Sequence, residues 1–201
     1  MARGGETLRF TYPKGATPLD PDTIAGLIPH LTTQRELNEF EARNILLGER
    51  WALRARGENR DILLLTTLRK LHTRMFDLTW RWAGEFRRVE TNIGISPRQI
   101  PMRLEQLCGN TRYQIENSVF GWDELAARFH HEMVSIHPFP NGNGRHARLA
   151  ADLLLIRHGQ SRFTWGSRSL VESSGVRKTY IAALQSADNG DYEPLIRFCR
   201  S

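Results

Sequence analysis

Between His137 and Arg148 the chain reads His-Pro-Phe-Pro-Asn-Gly-Asn-Gly-Arg-His-Ala-Arg. An unperturbed imidazole titrates near pH ~6.5, which suits His137 to the work of a general base. Gly142 and Gly144 permit backbone conformations closed to other residues, and they open a helix. Consecutive N–H groups at a helix N-terminus attract anions, phosphate above all, through unpaired donors and the helix dipole. Arg145 and Arg148 are three apart, so they project from neighbouring points of one helix face and can clamp phosphate oxygens bidentately. A base, an anion nest and two arginines within twelve residues describe a phosphoryl or nucleotidyl transfer site.

Helices must position that loop. Leu125, Phe129, Met133 and Ile136 mark a helix ahead of it, and Leu149, Leu153 and Ile156 one behind it. Upstream, a helix starts at Thr32 or Thr33, with Leu37, Phe40, Asn44, Leu47 and Trp51 on one stripe and Gly57 at its end. Leu64, Leu68, Leu71, Met75 and Leu78 mark the next, and Leu104, Leu107, Thr111 and Ile115 another. Val176, Tyr180, Leu184 and Ala187 lie on a further helix, and Leu195 and Phe198 on the last. From Gly84 to Ile100 a strand-like composition and a turn-rich middle predict a small β-hairpin. The expectation is a mostly α helical bundle with a hairpin flap at about 85–100. Residues 1–31, with one short helical turn near Asp22–Leu27, form an arm ahead of a domain spanning 32–201.

At 40% hydrophobic residues, a chain of 201 can bury a proper core, which excludes widespread disorder. No apolar run approaches the ~20 residues needed to span a bilayer. Nor does the N-terminus carry a signal-peptide stretch. Cys108 and Cys199 form neither a metal-ligand spacing nor a disulfide framework, so a cytoplasmic location is expected. The net charge is +6, with 25 arginines against three lysines, but the charges spread along the whole chain. That distribution argues against a nucleic-acid surface.

The segment His137–Arg148 resembles the signature of Fic-domain proteins, His-x-Phe-x-(Asp/Glu)-Gly-Asn-Gly-Arg-x-x-Arg. Trp82–Arg87 looks like that family's entry to its flap, and Tyr180–Leu195 like its C-terminal helices. The Asn-bearing loop and Thr32–Asn38 look most like the subgroup called mobile mystery protein B. The resemblance implies transfer of AMP from ATP to a Ser, Thr or Tyr hydroxyl of a target protein, the chain itself included. It implies His137 as base and Phe139 as the buried anchor of the loop. Gly142, Asn143 and Gly144 would hold the α- and β-phosphates, with Arg145 beside them and Arg148 on the γ-phosphate. The flap residues Thr91, Asn92, Ile93, Gly94 and Ile95 would clamp the target by strand addition.

Asn141 stands where the family has a carboxylate for Mg²⁺. Magnesium prefers charged oxygen ligands, so affinity for it, or for Mn²⁺, should fall. Three outcomes stay open: slow transfer with metal held by ATP and water, another nucleotide or chemistry, or nucleotide binding without catalysis. The last would make the chain a regulator or a toxin–antitoxin-like component. Thr32 and Glu36 match in part an inhibitory helix whose Glu pairs with the signature's second arginine. The same two residues also suit ordinary helix-start chemistry.

Overall fold

The computed structural model describes residues 21–31, 33–54, 56, 61–166 and 174–201. Most of the expected arm, Thr32 and Gly57 lie outside the described residues. Eight α-helices are described: α1 (Pro21–Ala25), α2 (Gln34–Arg54), α3 (Leu65–Phe76), α4 (Ile100–Glu116), α5 (Trp122–Ile136), α6 (Asn143–Arg157), α7 (Ser174–Asp188) and α8 (Glu193–Arg200). The mostly α expectation therefore holds.

α5 and α6 pack on each other at the centre, with α4 and α8 against α5, and α3 against α6. Asp123 and Glu124 in the first turn of α5 favour its N-terminal dipole end. Leu125, Phe129, Met133 and Ile136 are buried at helical spacing, as the pattern predicts. α6 answers with the small buried residues Ala147, Ala150 and Ala151, which let the two backbones approach. Leu68, Leu71 and Met75 of α3 are fully buried, each a contribution of roughly 1.5–3 kcal/mol.

α2 packs along α3 through a face that the expected stripe meets only in part, at Leu37 and Asn44. Its buried residues are Leu37, Glu41, Asn44, Gly48 and Ala52, whereas Leu47 is exposed. A Cβ at Gly48 would lie within 2.8 Å of the Arg74 carbonyl oxygen, so the two helices touch backbone to backbone. Asn44 accepts from Leu78 N and Thr79 Oγ1 and donates to Asp77 Oδ1, closing the C-terminal end of α3. Leu78 lies beyond that end and is exposed.

The flap differs from expectation. Residues 85–96 run as a loop without strand pairing, and the described residues contain only an isolated bridge, Leu27 to Trp80. The reason lies in Arg87. Its guanidinium takes the Val89 and Ile95 carbonyls, which a hairpin ladder would have used. Thr91 Oγ1 takes the Ile93 carbonyl.

Candidate active site

His137 is the C-cap of α5, at φ 53° and ψ 60°. This left-handed conformation is uncommon for a side-chain-bearing residue, though histidine is among those that adopt it. It turns the chain off α5 into the loop. The imidazole is buried and lies near Arg87, and both effects push its pKa down to about 4. The Val134 carbonyl acts in the opposite direction. His137 is therefore neutral and able to accept a proton throughout the neutral range.

Phe139 is completely buried. It stacks on His72 at 3.7 Å between centroids and meets His146 edge-on at 5.0 Å. Asn143 donates to the Phe139 carbonyl and accepts from the Phe139 amide, so its side chain staples the loop. His72 supports the loop from α3. The Gly84 amide donates to His72 Nδ1, so Nε2 carries the proton and donates to the Asn141 carbonyl. Burial and His146 hold the His72 pKa well below the ordinary value, which keeps that tautomer neutral.

Gly142 is the N-cap of α6 at φ 78°. A Cβ there would strike the Phe76 ring at 2.5 Å, so both conformation and space require glycine. Gly144 differs. It is helical, and an added Cβ would meet only Arg148 Nη1, at 3.7 Å. The fold tolerates a larger residue at Gly144, so the missing side chain leaves room for a ligand at the helix N-terminus.

Arg145 lies over the Phe76 ring and donates to Glu41 Oε2 at 2.6 Å. Glu41 is buried, and its other oxygen accepts from Trp80 Nε1 at 2.7 Å. Arg148 lies over the Tyr180 ring, whose hydroxyl contacts His130 Nε2 at 2.9 Å. Burial lowers the Arg148 pKa. It remains a cation at neutral pH.

Glu36 makes a capping box with Thr33. Glu36 Oε2 accepts from the Thr33 amide at 2.9 Å, and Thr33 Oγ1 accepts from the Glu36 amide at 3.2 Å. Among the described residues, the carboxylate in hydrogen-bond contact with a signature arginine is Glu41, and the arginine is the first one. The sequence signal for Glu41 was a charge at i+4 from Leu37 on a buried face. Arg87 gave no such signal among so many arginines. The paired histidines of α5 are packing residues, with His131 set between Asp188 and Tyr192.

Asn141 Oδ1 accepts from the Gly142 amide at 2.6 Å. Among the described residues no group of three His, Cys, Asp or Glu side chains could hold a metal ion. One neutral amide oxygen, already engaged, does not fit a protein-held magnesium.

The site thus sets a buried, neutral histidine beside a glycine loop and an arginine-bearing helix N-terminus on a helical bundle. The Fic/DOC family model matches residues 62–155, and that span is a Fic/DOC family domain. The protein adenylyltransferase Fic of Aedes aegypti is 30% identical over 142 residues, covering 69% of this chain and 27% of its own length. Fic-1 (residues 134–508) from C. elegans has the same fold at TM-score 0.64 and 24% identity, covering 88% of this chain and 51% of that one. The N-terminal Fic domain of a VirB-translocated Bep effector from Bartonella quintana, solved with bound ADP, matches at TM-score 0.61 and 20% identity. The match covers 85% of this chain and 86% of that one. The chain thus spans about a quarter of the Aedes relative. No helix among the described residues is long and apolar enough to cross a membrane.

Proposed function

We propose that this chain transfers AMP from ATP to a hydroxyl of a target protein. The observation that carries the proposal is the pairing of a neutral, buried His137 with the open N-terminus of α6. The names of the curated relatives support it. His137 takes the proton of the target hydroxyl, whose oxygen forms a bond to the α-phosphorus while the bond to the β-phosphate oxygen breaks and pyrophosphate leaves. The α6 N-terminus at Gly142–Gly144 holds the α- and β-phosphates, Arg145 braces them and Arg148 takes the γ-phosphate. Exposed Asn92, Ile93 and Gly94 offer flap main chain to an extended target segment. Two buried, free thiols, Cys108 and Cys199, fit a reducing cytoplasm. Placement in the mobile mystery protein B subgroup rests on Asn141 and the Thr32–Asn38 segment.

The test is incubation with ATP labelled on the α-phosphate, with Mg²⁺ or Mn²⁺ supplied. Label on protein that disappears in His137→Ala supports transfer. Nucleotide binding without label in the wild type supports a second reading, a nucleotide-binding regulator. The engagement of Asn141 Oδ1 with Gly142 favours that alternative.

The depressed imidazole sets the pH dependence. The base form dominates above about pH 4, so the rate is flat from neutral pH down and falls only as that value is approached. The rate at pH 5.5 is expected within about twofold of that at pH 7.5, whereas an ordinary imidazole would lose about tenfold. A pH–rate profile checks this. Gly144→Ala separates fold from ligand. Stability is expected to hold or rise by up to about 1 kcal/mol in thermal unfolding. ATP affinity is expected to fall about tenfold or more by calorimetry, because the methyl group enters the phosphate position.

A further inference from the structure

Arg87 is 3% exposed, yet its guanidinium faces main-chain carbonyls. Nε donates to the His137 carbonyl at 2.7 Å, and Nη2 reaches the Ile136 carbonyl at 3.4 Å. The Arg87 amide donates to the Pro138 carbonyl at 2.9 Å. Three consecutive carbonyls around the left-handed His137 are thus held by one residue. The same guanidinium holds the two ends of the flap, through Nη1 to Val89 O at 3.0 Å and Nη2 to Ile95 O. The Ile95 amide in turn donates to Ile136 O. At the flap tip, Gly94 (φ 102°) lies so close that a Cβ would sit 2.6 Å from His137 Cβ and 2.8 Å from Arg87 Nη2.

A guanidinium is a rigid planar fork, so groups bonded to its separate nitrogens are fixed relative to one another. We infer that Arg87 is the positioning residue that mounts the flap on His137, so that a segment held by the flap is registered to the imidazole. This rests on the transfer reading for its consequence but not for its geometry. Arg87 is buried and its side-chain donors go to main-chain carbonyls of the loop and the flap. Its loss should therefore slow transfer without weakening ATP binding. Lysine keeps the charge and loses the fork; methionine loses both.

The experiment compares Arg87→Lys and Arg87→Met with the wild type by four readouts. These are affinity for a non-hydrolysable ATP analogue, rate of label incorporation at saturating ATP, hydrogen exchange at the Ile95 amide, and NMR titration of His137. Analogue affinity is expected within about twofold in both variants. Incorporation should fall, and Ile95 exchange rise, on the order of tenfold to a hundredfold, the worth of one or two charged hydrogen bonds. The His137 titration should move up toward the ordinary imidazole value in Arg87→Met and less in Arg87→Lys, since Arg87 is the charged group depressing it. Unchanged Ile95 exchange in Arg87→Lys overturns the inference. So does a loss of analogue affinity in step with rate, which marks general collapse. If Arg87→Met does not fold, exchange in Arg87→Lys decides. A wild type that incorporates no label defeats the transfer reading alone, and the exchange and titration still decide the coupling.

Discussion

Replacing His137 by alanine is expected to lower label transfer by about a thousandfold while ATP affinity changes by no more than about threefold. A positioned general base is worth roughly 10²–10⁴ in rate. The phosphate contacts proposed for the α6 N-terminus come from the far side of the loop, which Phe139 and Asn143 hold in place independently of the imidazole. The substitution has a backbone cost, because residue 137 sits at φ 53°. His137→Asn controls for it, since asparagine tolerates that conformation. Both variants should lose transfer equally and differ only in unfolding temperature. If the asparagine variant transfers label at the wild-type rate, the imidazole is not the base. Equal loss of ATP binding and of transfer in both variants would place His137 in the loop's architecture instead.

The central helices and the loop were legible because their information is local. Apolar residues at helical spacing on α3, α4 and α5 face the core, and Gly142 requires its own backbone conformation whatever surrounds it. What could not be read is non-local. The buried face of α2 contains Asn44, which lies on the expected stripe, and Glu41 and Gly48, which a search for apolar periodicity passes over. Their roles depend on partners far along the chain: Trp80 and Arg145 for Glu41, the end of α3 for Asn44, and the Arg74 backbone for Gly48. Residues 86–91 have strand composition, but the carbonyls that would pair go to Arg87, a side-chain competition invisible to propensity. Glu36 poses a different problem. Its motif match and its capping geometry use the same spacing, and the capping box forms.

Glu41→Gln is expected to raise ATP affinity on the order of tenfold and to raise transfer at limiting ATP by a similar factor. Arg145 is one of two arginines proposed to grip phosphate, and its Nη1 is held by Glu41 Oε2 at 2.6 Å. A phosphate must compete with that carboxylate. A hydrogen bond to a charged group contributes about 1.5–3 kcal/mol, and a glutamine whose single amide oxygen faces Trp80 turns its NH2 toward Arg145 and no longer accepts from it. The isosteric amide can still accept from Trp80 Nε1, so the α2–α3 packing survives, whereas Glu41→Ala would leave a buried donor unpaired and cost stability. Glu36→Gly is the matched comparison. It removes half of the capping box and lowers stability by about 1 kcal/mol, with ATP affinity unchanged within about twofold. Calorimetric titration of ATP into both variants separates the roles. Tighter binding in Glu41→Gln alone makes α2 a brake acting through the first signature arginine. Tighter binding in Glu36→Gly alone returns the brake to the motif that the sequence suggested. Weaker binding in Glu41→Gln makes Glu41 the support that orients Arg145 toward phosphate, and α2 then completes the site instead of restraining it.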